Sequence, residues 1–192
     1  MTTALEARTA EELATAIAAG ETPKWLHFWG HTPRGGGAGP NVGPWCLSQW
    51  YRAAFRDESG TEFASAEHYM MWRKAVLFED VDVAAEVLAA RTPAEAKELG
   101  RKVRGFDDAT WTEHRWEIVV TGSVLKFGAD PALRDYLLGT SNRVLVEASP
   151  RDRIWGIGLG ASSEDAERPD RWRGLNLLGF ALMEARERLA AT

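Results

Sequence analysis

The apolar positions between Thr61 and Phe78 do not fall on a single stripe. Phe63, Tyr69, Met70, Met71, Trp72, Val76, Leu77 and Phe78 surround the stretch T-E-F-A-S-A-E-H-Y-M-M-W-R-K-A-V-L-F. That is more apolar surface than a solvated amphipathic helix carries, so the pattern predicts a largely buried helix with Ser65 as its N-cap. Shorter periodic segments flank it. Thr9-Ala10-Glu11-Glu12 reads as a capping box opening a helix that Gly20 stops, and Lys24 to Trp29 reads as an aromatic-rich strand. Cys46 to Tyr51 and Ala53 to Arg56 are expected to be extended, the latter turning through Asp57-Glu58-Ser59-Gly60 as an antiparallel hairpin into Thr61 to Phe63.

Beyond the central stretch helices dominate. Val83 to Arg91 is one, and Thr92-Pro93-Ala94-Glu95 starts another that ends near Gly105. Asp107 or Asp108 caps a longer helix closed by Gly128, and Asp130-Pro131 opens one ending near Gly139. Arg143 to Ala148 alternates as a short strand, Trp155 to Leu159 is read as extending its sheet, and Asn176 to Leu189 is a terminal amphipathic helix. The expected fold class is therefore α+β, mainly α, with small antiparallel β elements in a single compact domain over residues 23–192. Residues 1–22 form a helical extension before it.

Composition narrows the functional classes. The chain has 192 residues, 45% of them hydrophobic, enough for one domain with a real core. Net charge is −5 and the isoelectric point about 5.5, which argues against broad binding to duplex nucleic acid or to anionic membranes. Cys46 is the single cysteine, and no apolar run approaches the roughly 20 residues of a membrane span, so a cytoplasmic, reducing location is expected. Nine tryptophans supply either core or stacking platforms for a flat ligand.

Candidate chemistry concentrates in three places. On the central helix Glu67 and Lys74 return to nearly the same azimuth at about 100° per residue. In apolar surroundings such a pair is either an internal ion pair or a site with shifted proton affinities. His68 points away from Glu67 and is read as a satisfied core histidine. The second place is Leu145 to Gly160, where Asp152 sits in a Pro-containing turn before Trp155-Gly156. In the third, Asn176 lies at a helix start, either as a cap or as a contact for a substrate amide or hydroxyl. The Gly-rich loop from His31 to Pro44, with Arg34, lacks P-loop spacing and is read as a surface loop. His27, His31, His68 and His114 show no zinc spacing, so no metal and no cofactor are expected.

Taken together, A-S-A-E-H-Y (64–69), G-R (100–101), W-T-E-H-R (111–115), L-K-F (125–127), L-V-E-A-S-P-R-D-R-I-W-G-I-G-L (145–159) and G-L-N-L-L-G-F-A-L-M-E-A-R (174–186) resemble the NADAR family, also called YbiA-like. The order and spacing of these motifs across residues 25–190 carry the likeness. It implies a compact, mainly α domain with N-glycosidase activity that cleaves a ribosyl C1′–N bond without metal. One branch of the family acts on ribosylamino-pyrimidine intermediates of riboflavin synthesis, the other removes ADP-ribose from guanine bases, so the implied partner is a ribosylated or ADP-ribosylated base, free or within DNA.

Carried over by motif, the family's functional Glu falls on Glu67, a functional Trp on Trp111, and the Asp before W-G on Asp152. Lys74 and Lys126 stand where relatives also keep Lys. Glu67 is assigned to proton transfer and Asp152 to ribose binding and charge stabilisation, with the reverse assignment open. Lys74 offers a covalent Schiff-base route. Trp111, Trp155 and Tyr69 are candidates for stacking or pocket shape beside Gly156 and Asn176, while Arg101 and Lys126 are candidates for phosphate contact or ordinary pairing with acids. The expectation is that Glu67, Trp111 and Asp152 meet at one dry cavity. A non-catalytic ADP-ribose or nucleotide sensor is the alternative function. Insertions at 34–44 and 162–173 leave the branch unassigned.

Overall fold

A computed structural model describes residues 2–33 and 42–191. Its elements are α1 (Ala10–Ala18), β1 (Lys24–Phe28), a 3₁₀ turn (Pro44–Leu47), β2 (Arg52–Arg56), β3 (Glu62–Ser65), α2 (Ala66–Leu77), α3 (Val81–Ala89), α4 (Pro93–Gly100), α5 (Asp108–Ala129), α6 (Pro131–Gly139), β4 (Arg143–Glu147), a second 3₁₀ turn (Pro169–Arg171) and α7 (Leu177–Ala190). The mainly helical α+β expectation holds. Contacts divide the chain into two compact units, residues 1–48 with 135–192, and residues 49–134.

In the first unit β1 and β4 pair in parallel, Lys24 opposite Arg143 through Phe28 opposite Glu147. This differs from the antiparallel expectation. Parallel strands need a long crossover, and here the chain between them is most of the sequence. Val144, Leu145 and Val146 are buried, α7 packs on β4, and Leu178, Phe180, Leu182 and Met183 of α7 are buried as well. Arg186 of α7 donates to Thr140 Oγ1 at 2.8 Å and to the Arg143 carbonyl at 2.9 Å. The capping box at α1 forms as its sequence predicts, and α1 packs on the Pro169–Arg171 turn. Arg8 ties the segment before α1 to Glu184 and Glu187 of α7.

In the second unit β2 and β3 form the expected antiparallel hairpin, with an irregularity between Arg52 and Phe55. β3 runs straight into α2, which packs against α3, α4 and α5. Being covered on several sides explains the apolar residues all round α2. Two glycines admit its large side chains: a Cβ at Gly122 of α5 would lie 2.6 Å from the Tyr69 ring, and one at Gly100 would overlap Met71.

Three local expectations fail for identifiable reasons. Cys46 and Leu47 lie in a 3₁₀ turn rather than a strand, because Pro44 sets its first residue. Residues 155–159 are irregular, with Gly158 at φ +68°; the Ile157 N–H reaches the Glu147 carbonyl at the end of β4, but the other backbone bonds run to neighbouring loops and to the start of α7 rather than along a strand ladder. α4 stops at Gly100, well short of Gly105. Arg34 and most of the 34–44 insertion lie outside the described residues.

Candidate active site

In the second unit the start of α2 is held by three polar contacts. Ser65, fully buried, caps the helix by accepting the His68 N–H at 3.4 Å, and its Oγ lies 2.7 Å from His68 Nδ1. His68 Nε2 lies 3.2 Å from the Ala90 carbonyl. A carbonyl only accepts, so Nε2 carries the proton and Nδ1 accepts from the Ser65 hydroxyl. Burial pushes the His68 proton affinity down, favouring this neutral tautomer. His68 is thus the satisfied core histidine that its sequence context suggests, and it orients the turn that carries Glu67. The Glu67 N–H donates to the Gln49 carbonyl at 3.0 Å, and the Glu67 side chain is buried.

Lys74, two turns along, does not pair with Glu67. Its Nζ donates to the carbonyl of Gly100 at 2.8 Å, closing the C-terminal end of α4. It also lies 4.0 Å from the centroid of the Phe106 ring and 5.7 Å from that of Trp111. Burial lowers its proton affinity, opposed by the charge of Asp108. A half-buried amine with reduced basicity under two aromatic faces is the feature a nucleophilic lysine needs, since only the free amine attacks.

Trp111, in the first turn of α5 and buried, therefore forms one wall over Lys74. Phe106 forms the other, yet keeps 43% of its surface exposed, and sequence reasoning gave it no role. Its only signal was the preceding Gly105, at φ +69°. The segment leading to it is anchored by Arg104, whose guanidinium bridges Asp80 and Asp82 while its N–H also donates to Asp80 at 2.8 Å. Those bonds hold the buried Asp80 carboxyl well below the usual carboxylate range.

The remaining second-unit candidates divide by environment. Tyr69 is buried among Phe55 and Phe63, with ring centroids 6.0 Å and 5.1 Å away, so its ring belongs to the core. Lys126 is fully buried, with Nζ 5.5 Å from the Tyr51 centroid and 4.9 Å from that of Phe127. Arg101 is exposed and bonds Glu98 at 2.6 Å, and it lines a groove of about 720 Å³ together with Trp50, Lys97 and Leu99.

In the first unit Asp152 is a turn former. Its Oδ1 accepts the N–H groups of Ile154 at 2.9 Å and Trp155 at 2.8 Å, and Trp155 is half-buried. Gly156 allows the tight path: a Cβ there would lie 2.9 Å from the Glu147 carbonyl and 3.1 Å from that of Asp152. Asn176, fully buried at φ 54°, neither caps α7 with its side chain nor presents its amide outward. Its Oδ1 accepts the Glu147 N–H at 2.9 Å and its Nδ2 donates to the Leu145 carbonyl at 3.0 Å, stapling the turn before α7 to β4. Among the described residues no group of three or more His, Cys, Asp or Glu is placed to hold a metal ion. No helix of the described residues is long and apolar enough to cross a membrane.

Glu67 at the pinned start of α2, Trp111 over Lys74, and Asp152 in the turn before Trp-Gly all lie within the motifs that carry the likeness. Residues 28–190 match the model of the NADAR domain, and the chain belongs to that family. Among its relatives, "N-glycosidase R617" of Acanthamoeba polyphaga mimivirus is 40% identical over 87% of this chain and 97% of its own length. "N-glycosidase Npun_R5314" of Nostoc punctiforme is 33% identical over 67% of this chain and 76% of its own. The solved NMR structure of the E. coli protein YbiA shares the fold with a TM-score of 0.66, at 23% identity, covering 89% of this chain and 88% of that one.

Proposed function

We propose that this chain is an N-glycosidase that hydrolyses the C1′–N bond of a ribosylated or ADP-ribosylated base. The observation that carries the reading is Glu67: a buried carboxyl whose helix turn is fixed by Ser65, His68 and the Gln49 carbonyl, in a chain 40% identical to a protein named N-glycosidase. Departure of the base builds oxocarbenium character at C1′, and a positioned carboxyl transfers the proton the leaving nitrogen needs. Glu67 is assigned that transfer. Asp152, besides fixing its own turn, is assigned to the ribose. In direct hydrolysis the C1′–N bond breaks, water forms the new C1′–O bond, and the products are the free base and the sugar hemiacetal.

Lys74 supports a second route to the same products. A ribosylamine opens to an imine, the free amine of Lys74 adds to C1′, the base leaves with a proton, and water hydrolyses the lysine Schiff base. The lowered basicity of Lys74 favours this route. A relative named "Riboflavin biosynthesis protein PYRR, chloroplastic" from Zea mays, 33% identical over 71% of this chain but only 22% of its own length, makes ribosylamino-pyrimidine phosphates a substrate class to test beside ADP-ribosylated guanine. A buried lone Cys46 fits work in a reducing compartment, and the cytoplasm is the setting we assign.

The test is incubation with ADP-ribosylguanine DNA, free ADP-ribosides and a ribosylamino-pyrimidine phosphate, following release of free base by chromatography. Release from one class is expected, and failure with all three overturns the reading. Borohydride added during turnover is expected to leave a sugar adduct on Lys74 if the covalent route operates. Turnover without any adduct assigns direct hydrolysis.

A further inference from the structure

We infer that Gln49 is a substrate-contacting residue, whose side-chain amide oxygen accepts a hydrogen bond from a neutral donor, a hydroxyl or amino group, on the ribosylated base. The inference rests on the N-glycosidase reading for the identity of the ligand but not for the existence of the contact. Gln49 is 7% exposed, and its Oε1 is buried without a hydrogen-bond partner. An orphaned acceptor in the interior is costly, and native proteins keep few of them.

Its surroundings make the orphan specific. The main-chain carbonyl of the same residue receives the Glu67 N–H, so the amide branches from the residue that fixes the first turn of α2. Around that turn Ser65 Oγ is matched with His68, and His68 Nε2 with Ala90. Asn176 shows what this chain does with a buried amide in a structural role, since both ends of that side chain are engaged by backbone. Gln49 Oε1 has no such engagement, and a polar group left unmatched beside the proposed proton carrier is placed for a ligand. It cannot hold an anion, because an amide oxygen only accepts; the group it meets must donate.

The test uses Gln49→Met, which keeps length and flexibility while removing the acceptor, and Gln49→Glu, which keeps an acceptor at the same reach. Thermal melts are run without ligand and with ribose 5-phosphate or ADP-ribose, alongside base release from the substrate panel above. Gln49→Met is expected to melt higher than wild type by about 2–4 °C, the shift that removing one orphaned acceptor of ordinary cost gives in a chain of this size. It should bind the probes about 5- to 100-fold more weakly. Gln49→Glu should recover part of that binding. Gln49→Met with wild-type affinity overturns the inference, as does a wild-type protein that takes up neither probe. Wild type that binds, with the expected loss in Gln49→Met, yet releases no base, removes the glycosidase reading and leaves the contact standing.

Discussion

Each unit contains a buried acid or amide near a helix start, and the two units use them in opposite ways. In the first, Asp152 and Asn176 are committed to backbone: the carboxylate holds two N–H groups of its own turn, and the amide joins two residues of β4. In the second, the backbone of α2's first turn is held by other groups, and Glu67 reaches the interior on a turn that Ser65, His68 and Gln49 have already fixed. One set of polar residues makes a shape, the other is held in place by a shape. The lesson is that a motif residue's role is read from what its polar atoms are bonded to, not from its motif alone.

The largest expected effect tests the second unit. Glu67→Gln keeps the volume and removes the transferable proton, so base release should fall about 10²–10⁴-fold, the range of a lost general acid or base. The contacts that pin the turn come from the Glu67 main chain and from Ser65 and His68, so the turn should keep its place in the variant, and base release is normalised to the folded fraction read from urea unfolding. A large loss of stability with activity scaled only to the folded fraction would make Glu67 structural and erase the contrast.

Next in size is the mirror experiment in the first unit. Asn176→Ala leaves the Leu145 carbonyl and the Glu147 N–H buried without their partner, which should cost roughly 2–4 kcal/mol of unfolding free energy at the usual penalty per orphaned group. Asn176→Gly separates bonding from backbone conformation. Glycine accepts φ 54° without strain, so only the lost bonds remain, and it should still be clearly destabilised. If glycine restored full stability, the staple to β4 would carry no weight, and Asn176 would return to the substrate contact its sequence position first suggested.

These contrasts also mark what the sequence could and could not disclose. Thr9, Ser65, Thr92 and Asp107 were readable as caps, and each accepts the N–H three residues on, because a cap is decided within one turn of chain. The hairpin after Asp57 was readable for the same reason. The parallel pairing of β1 with β4 was not, since strand direction depends on a crossover that local pattern does not encode. Glu67 and Lys74 share a ridge by arithmetic, yet Lys74 turns to Gly100, 26 residues away, where α4 happens to end. Periodicity gives a side chain's azimuth; its partner is set by tertiary packing. Gln49 carried no signal at all, because an unmatched acceptor exists only relative to neighbours that the chain brings in from elsewhere.

The smallest effect concerns Lys74 and the way its proton is held. Burial lowers the folded-state proton affinity of the amine below its ordinary 10.5, so between the lowered value and 10.5 the unfolded chain binds more protons than the folded one. Stability contributed by this site must then rise with pH through that window, and below it the buried charge is a standing penalty. Lys74→Met removes both, and should be at least as stable as wild type near neutrality while lacking the alkaline rise. Tyr69 complicates a single curve, since its raised proton affinity makes the folded state lose stability above about pH 10, where an ordinary phenol ionises. Subtracting the Lys74→Met curve from that of wild type cancels the tyrosine, which both proteins share, and leaves the lysine alone. A difference that slopes upward below pH 10 shows a folded-state amine that gives up its proton more readily than an ordinary lysine, which favours attack on C1′. A flat difference would show that Lys74 keeps its proton throughout, reducing it to the cap that closes α4 and leaving Glu67 to act on water.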